Sequence, residues 1–245
     1  MIQAAVKNDI VNQLKREVYS LQGFKKPMDN TTINRLGAIE AAFPNMIFPT
    51  GVIHEFISIS PKDAAAANGF IAGLIAGLSF TKGTCLWIGN KRTAFPPALK
   101  LFGILPERII FVDLTSQKDV LWAIEEALKC KSLSAVVGEL SELSFTESRR
   151  LQLAVEQSHV TGFIHRYNPR KENVVACVSR WKIKSLPSVL EDGMPGVGYP
   201  RWKVELLKVR NGIPGSWDIE WNNGYFQYVD KQVLSFSETG KRKAS

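Results

Sequence analysis

The sequence predicts an α/β fold in which a mostly parallel sheet is covered by helices on both faces. C-terminal antiparallel strands extend the sheet, and a separate helix precedes it. Three observations predict this. Continuous apolar runs of strand length alternate with helical patterns from Leu36 to Tyr167, as buried parallel strands require. Beyond Tyr167 the helical pattern stops, and strand-like segments follow one another, separated by Asn-Gly turn signals. Before Leu36 stands one isolated amphipathic stretch.

That stretch is residues 1–25, where Ile2, Val6, Ile10, Leu14, Val18 and Leu21 recur at helical spacing among polar residues. The polar run KKPMDNTT reads as a linker. The apolar stripe must be buried on its own core or on another chain, and the sequence does not choose. The core opens with the strand GVIHEFISI, followed by a helix over residues 64–80, the strand TCLWIG, a short helix in AFPPALKLFGI and the strand RIIFVD. The next helix, SQKDVLWAIEEALKC, has Ser116 as N-cap and Val120, Ile124, Ala127 and Leu128 on one face. After the strand LSAVVGEL, Ser144 and Glu147 stand in capping-box positions for a helix, and the strand GFIHRY follows. NVVACVSRWKIKSL, RWKVELLKVRN, SWDIEW and YFQYV are the later strands, with hairpin signals at Asn211-Gly212 and Asn223-Gly224. The expected organisation is an N-terminal helix and linker over 1–30, a core over 31–230 and a disordered basic tail over 231–245.

Composition excludes several classes. Three scattered cysteines, Cys85, Cys130 and Cys177, form no C-x-x-C pair, which argues against a disulfide framework or a zinc site and fits a reducing compartment. The first twenty residues contain no apolar signal-peptide core, so a cytoplasmic protein is expected. Residues 64–80 are apolar and carry Gly69, Gly73 and Gly77 one turn apart. They are shorter than a membrane span and contain Asn68, so the small residues are expected to seat a helix closely on a sheet. The net charge of +8 favours an acidic partner, nucleic acid first. Residues 163–210 hold ten cations against four acids, and so most of the excess.

The junction VIHEFISISPKDAAAANGF has the strand–loop–helix layout of a phosphate-binding P-loop. A working loop reads G-x-x-x-x-G-K-[ST]: glycines let backbone amides surround the phosphates, Lys neutralises them and the hydroxyl holds Mg²⁺. The span Ser58–Ala67 has no Gly, and Ala66 and Ala67 stand where Lys and Ser/Thr belong. Lys62 comes too early and is followed by Asp63, which repels phosphate. At the end of LSAVVGEL, Gly138 stands where a RecA-like core, which this arrangement of strands resembles, would place its metal-side Asp, and Glu139, one residue on, is expected to face the other way. By the same resemblance to RecA, Asn90 ends the second core strand where a water-activating Glu would stand. With three parts of the phosphoryl-transfer machinery missing, no ATPase activity, cofactor or metal is expected. His54, His159 and His165 form no ligand pattern, and His165 reads as structural.

A mostly parallel sheet opened by a P-loop position and closed by antiparallel strands resembles the RecA core. Within it, SRWKIKSLPS (Ser179 to Ser188), LLKVRNGIPGSWDIEW (Leu206 to Trp221) and FPTGVIHEF (Phe48 to Phe56) resemble the ImuA family, RecA-like proteins of bacterial DNA-damage-induced (SOS) mutagenesis cassettes. The resemblance spans about Leu36 to Val229. It implies a protein that joins an inactive Y-family-like polymerase homologue and an error-prone replicative-type polymerase in translesion synthesis, and that interacts with RecA. No membrane partner is implied, and a homo-oligomer stays open.

With catalysis set aside, the residues expected to bind DNA or partners are cationic or aromatic. HRYNPRKEN supplies Arg166, Tyr167, Arg170 and Lys171, cations for phosphates with an aromatic for a base. SRWKIK supplies Arg180, Lys182 and Lys184 as a positive stripe, backed by Trp181 and Ile183 on the apolar face. Arg210 completes the set. Trp202, Trp217 and Trp221 are expected in the core. Two other functions remain at this stage: a regulator of RecA filaments acting by protein contact alone, and a DNA-dependent ATPase or recombinase, which the missing residues count against.

Overall fold

The computed structural model describes residues 36–79, 83–189 and 198–229, together with helical positions 10, 11, 13, 14, 17 and 18. Ile10, Leu14 and Val18 are about half exposed there; the rest of the N-terminal stretch, the linker and the basic tail lie outside the described residues.

Nine strands form a single sheet: β1 (Ile53–Ser58), β2 (Thr84–Gly89), β3 (Ile109–Asp113), β4 (Leu133–Leu140), β5 (Thr161–Tyr167), β6 (Ser179–Leu186), β7 (Arg201–Val209), β8 (Gly215–Asn222) and β9 (Tyr225–Tyr228). Their order is β3-β2-β4-β5-β1-β6-β7-β8-β9. The first six in that order run parallel, and β7, β8 and β9 alternate antiparallel. Thus β6, reached without an intervening helix, pairs parallel with β1, and the antiparallel extension starts one strand later than the change of sequence pattern indicates. Residues 173–178 of the expected strand NVVACV are instead loop. This is the mixed α/β architecture of a RecA-like core.

Helix α1 (Pro61–Ser79) packs on one face of the sheet; α2 (Gln117–Lys129) and α3 (Phe145–Ser158) pack on the other. Helix α2 starts where expected, with Ser116 Oγ accepting from Asp119 N, and it buries Val120, Ile124, Ala127 and Leu128. Helix α3 has the complete Ser144–Glu147 capping box. The short helix after β2, Pro96–Phe102, is of the 3-10 type, opened by two prolines and closed by Gly103 in the left-handed region.

The α1 face holds the aromatic core. Phe56, Phe70, Trp181, Trp202, Trp221 and Phe226 are buried there, with Phe56 stacked on Trp181 at 6.1 Å between centroids. The small residues of α1 serve this packing. A Cβ on Gly73 would lie 2.4 Å from Phe226 Cζ and 2.9 Å from Trp221 Cζ3, so the helix seats against rings with no room for a methyl. Among the described residues no helix is long and apolar enough to cross a membrane. Asn223 and Gly224, both at positive φ, turn the β8–β9 hairpin as their sequence predicts.

Candidate functional site at the carboxyl edge of the sheet

In a parallel α/β sheet the strand carboxyl ends collect the loops that bind ligands. Here they surround an open cavity of about 580 Å³. Its walls are the start of α1 (Pro61, Ala64), the exit of β2 (Asn90 to Thr93), Gln117 of α2, the exit of β4 (Glu139 to Ser141), and Tyr167 and Asn168 after β5.

The β1–α1 connection is only Ile59 and Ser60. Pro61, the first residue of the helix, has no N–H. Asp63 N donates to Ser60 Oγ at 3.1 Å, and Ser60 Oγ donates back to Asp63 Oδ2 at 2.8 Å. The helix therefore caps itself, with a carboxylate in its first turn, where a P-loop would curl several free amides around a phosphate. Of the residues in the span Ser58–Ala67, Ala66 and Ala67 are buried in the core, Lys62 is exposed and Ser58 is buried.

Glu139 lies on the α1 face of β4. Its Oε1 accepts from Trp87 Nε1 at 2.7 Å and Thr93 Oγ1 at 2.9 Å, and its Oε2 accepts from Thr93 N at 3.0 Å. Burial pushes its carboxyl above the usual range, while these hydrogen bonds pull it back. A Cβ on Gly138, by contrast, would lie 2.3 Å from Ile124 Cδ1, on the α2 side. The expected opposition of the two faces holds, and Glu139 is the one that reaches the cavity, where it anchors the Asn90–Ala94 loop. His165 is structural: it is fully buried, with Nε2 2.7 Å from Ser58 Oγ, and burial lowers its pKa to about 4.

The basic residues expected to act together divide into three groups. Arg166 has no solvent exposure: its Nη1 donates to Glu55 Oε1 at 2.9 Å and its Nη2 to the Lys171 carbonyl at 3.0 Å. Arg180 donates from Nε to the other Glu55 oxygen at 2.5 Å and from Nη2 to the Asn173 carbonyl at 2.6 Å. Both guanidinia thus hold the loop between β5 and β6 in place, and Arg166 is not a surface contact. In the second group, Lys182 pairs with Glu172 at 2.6 Å, and Lys184 and Lys203 share Glu205 at 3.3 and 3.7 Å. The β6 stripe is cationic on one face as expected, but acids beside it offset it. In the third group, Arg170 and Lys171 are exposed on the β5–β6 loop, next to Tyr167. Arg210 lies apart from them: it follows β7 at the amino-terminal end of β6, where its N donates to the Val178 carbonyl at 2.8 Å.

Sequence reasoning missed Glu55, Lys91, Thr93, Gln117 and Asn168. Only Lys91 carried a signal, a cation directly after a strand end. The others depend on pairings over long separations, 111 residues between Glu55 and Arg166.

No protein-family model matches the chain. It is 33% identical over 195 residues, 75% of this chain and 80% of the relative, to Protein ImuA of Caulobacter vibrioides strain NA1000 / CB15N, and equally so to the protein of the same name from strain ATCC 19089 / CIP 103742 / CB 15.

Proposed function

Because this chain belongs to the ImuA family, we propose that it is a non-catalytic accessory protein of DNA-damage-induced mutagenesis. It joins RecA, an inactive Y-family-like polymerase homologue and an error-prone replicative-type polymerase during translesion synthesis in the cytoplasm, with single-stranded DNA as a further contact.

The observation that supports the non-catalytic part is the two-residue connection between β1 and α1. Phosphoryl transfer needs a cradle of amides, a Lys and a metal-side acid, all in place together. Here the amide of Asp63 is occupied by Ser60, Asp63 adds a negative charge at the helix N-terminus, and Glu139 is engaged by Trp87 and Thr93. DNA contact is assigned to Arg170 and Lys171, two exposed cations on the loop after β5 at the carboxyl edge of the sheet.

The test is phosphate release from Mg-ATP by the full chain alone, with and without single-stranded DNA, beside separate capture of RecA and of the polymerase homologue. No turnover with capture of both proteins is the expected result. Turnover above the buffer rate would overturn the non-catalytic reading; failure to capture either protein would overturn the accessory role.

A further inference from the structure

We propose that the cavity at the carboxyl edge holds one nucleotide unit: a base carrying a single phosphate. The inference rests on the DNA contact proposed above and gives it a second, independent site. The cavity volume of about 580 Å³ falls within the range of small-ligand sites.

Charge fixes the number of phosphates. Of the two cations that line the cavity, Arg92 is paired with Asp113 and lies 4.4 Å from the Phe111 ring centroid. Lys91 is exposed and has no acidic partner among the described residues. One free ammonium balances the single charge of a phosphodiester and falls far short of the charge of a triphosphate, and the self-capped α1 adds no further anion site. Glu139 on the floor has both oxygens occupied, so the phosphate belongs at the rim beside Lys91.

The remaining lining suits a base. Tyr167 supplies an aromatic ring, on which a base of any identity can stack. Asn90, Gln117 and Asn168 supply amide groups that meet the mixed donors and acceptors of a base edge. Gln117 Oε1 already accepts from Ser141, which leaves its amide nitrogen to donate. Asn168 leads directly to exposed Arg170 and Lys171, so a strand leaving the cavity would carry its next phosphates onto those cations.

The same chemistry describes a free mononucleotide and one unit of a single strand, and the experiment separates them. Labelled oligothymidylate is titrated into the full chain by fluorescence anisotropy; deoxyadenosine monophosphate and ATP are titrated by calorimetry. Wild type, Tyr167→Ala, Tyr167→Phe, Lys91→Glu and Arg170→Glu are compared. The expected result is strand binding that Tyr167→Ala weakens about tenfold, since one stacked base is lost, and that Tyr167→Phe preserves. Lys91→Glu should also weaken it, and ATP should bind no tighter than the monophosphate. Monophosphate binding without strand binding would keep the cavity site and identify a free nucleotide as its ligand. Strand binding lost in Arg170→Glu but unchanged in Tyr167→Ala and Lys91→Glu would overturn the cavity site while leaving the loop contact standing. Absence of binding by either probe would overturn both.

Discussion

Arg166 on β5 and Glu55 on β1 form an ion pair at 2.9 Å with neither side chain reaching solvent, and Arg180 completes it from β6. Two guanidinia thus meet one carboxylate inside the sheet. The surplus charge is met by Glu142, whose Oε2 lies 3.5 Å from Arg166 Nη2, and by the carbonyls of Lys171 and Asn173, which belong to the loop that carries Arg170. Removing one partner of a buried pair leaves an uncompensated charge, which costs about 3–5 kcal/mol. Glu55→Ala should destabilise the fold by that amount in urea denaturation, and amide exchange should rise first in residues 168–178. A loss below about 1 kcal/mol would mean that water reaches the cluster and that the pair carries little.

Two buried histidines make stability depend on acid. Burial lowers His54 to about 3 and His165 to about 4, against 6.5 when unfolded. Their neutral forms are favoured in the fold, so their contribution is complete above about pH 6.5. As pH falls below that value the unfolded chain takes up protons that the fold refuses. Stability should drop between about pH 6 and 4 by up to about 2.7 kcal/mol per pH unit, two protons' worth of linkage. Glu139, raised by burial, acts in the opposite sense, since the fold holds its proton more tightly than the unfolded chain. Denaturation midpoints across this range test the slope, and His165→Gln should roughly halve it.

The same burial explains what could be read from the sequence. Periodicity and caps located the three α-helices and the nine strands, because Ser116, Ser144 and the apolar runs act within a few residues, but not the short 3-10 helices Gly37–Ala42, Pro44–Met46 and Pro106–Arg108. The alternation of SRWKIK placed Trp181 and Ile183 inside and Lys182 and Lys184 outside. Charge reasoning fared less well. A cation in a strand reads the same whether it meets water or a carboxylate 111 residues away, so Arg166 looked like a surface contact. The cavity was half legible: that the span Ser58–Ala67 does not read G-x-x-x-x-G-K-[ST] was plain from the sequence, but the orientation of Glu139 onto Trp87 and Thr93 needed the register of β2 against β4.

Close packing around α1 gives a further test. Gly→Ala within a helix ordinarily gains up to about 1 kcal/mol. At Gly73 the new methyl would meet Phe226 at 2.4 Å and Trp221 at 2.9 Å, both inside a filled aromatic core. Overpacking of this kind costs about 1–3 kcal/mol, so the clash should win and Gly73→Ala should be destabilising. A stabilised variant would show that β8 and β9 shift away from α1 at little cost.

Salt dependence separates the loop cations from the strand cations. Lys184 shares Glu205 with Lys203, and Lys182 is held by Glu172, so these side chains already have counter-charges. Arg170 and Lys171 are exposed with no acidic side chain paired to them in the described residues, although Arg170 N donates to Glu142 Oε1 at 2.8 Å. Each phosphate contact on a single strand contributes about 0.7 to the slope of log affinity against log salt. Replacing Arg170 and Lys171 together by Gln should therefore lower that slope by about 1.4 for oligothymidylate, while Lys184→Gln should leave it within error. A slope that falls equally in both variants would move the strand's path off the carboxyl edge and onto the open face of β6 and β7.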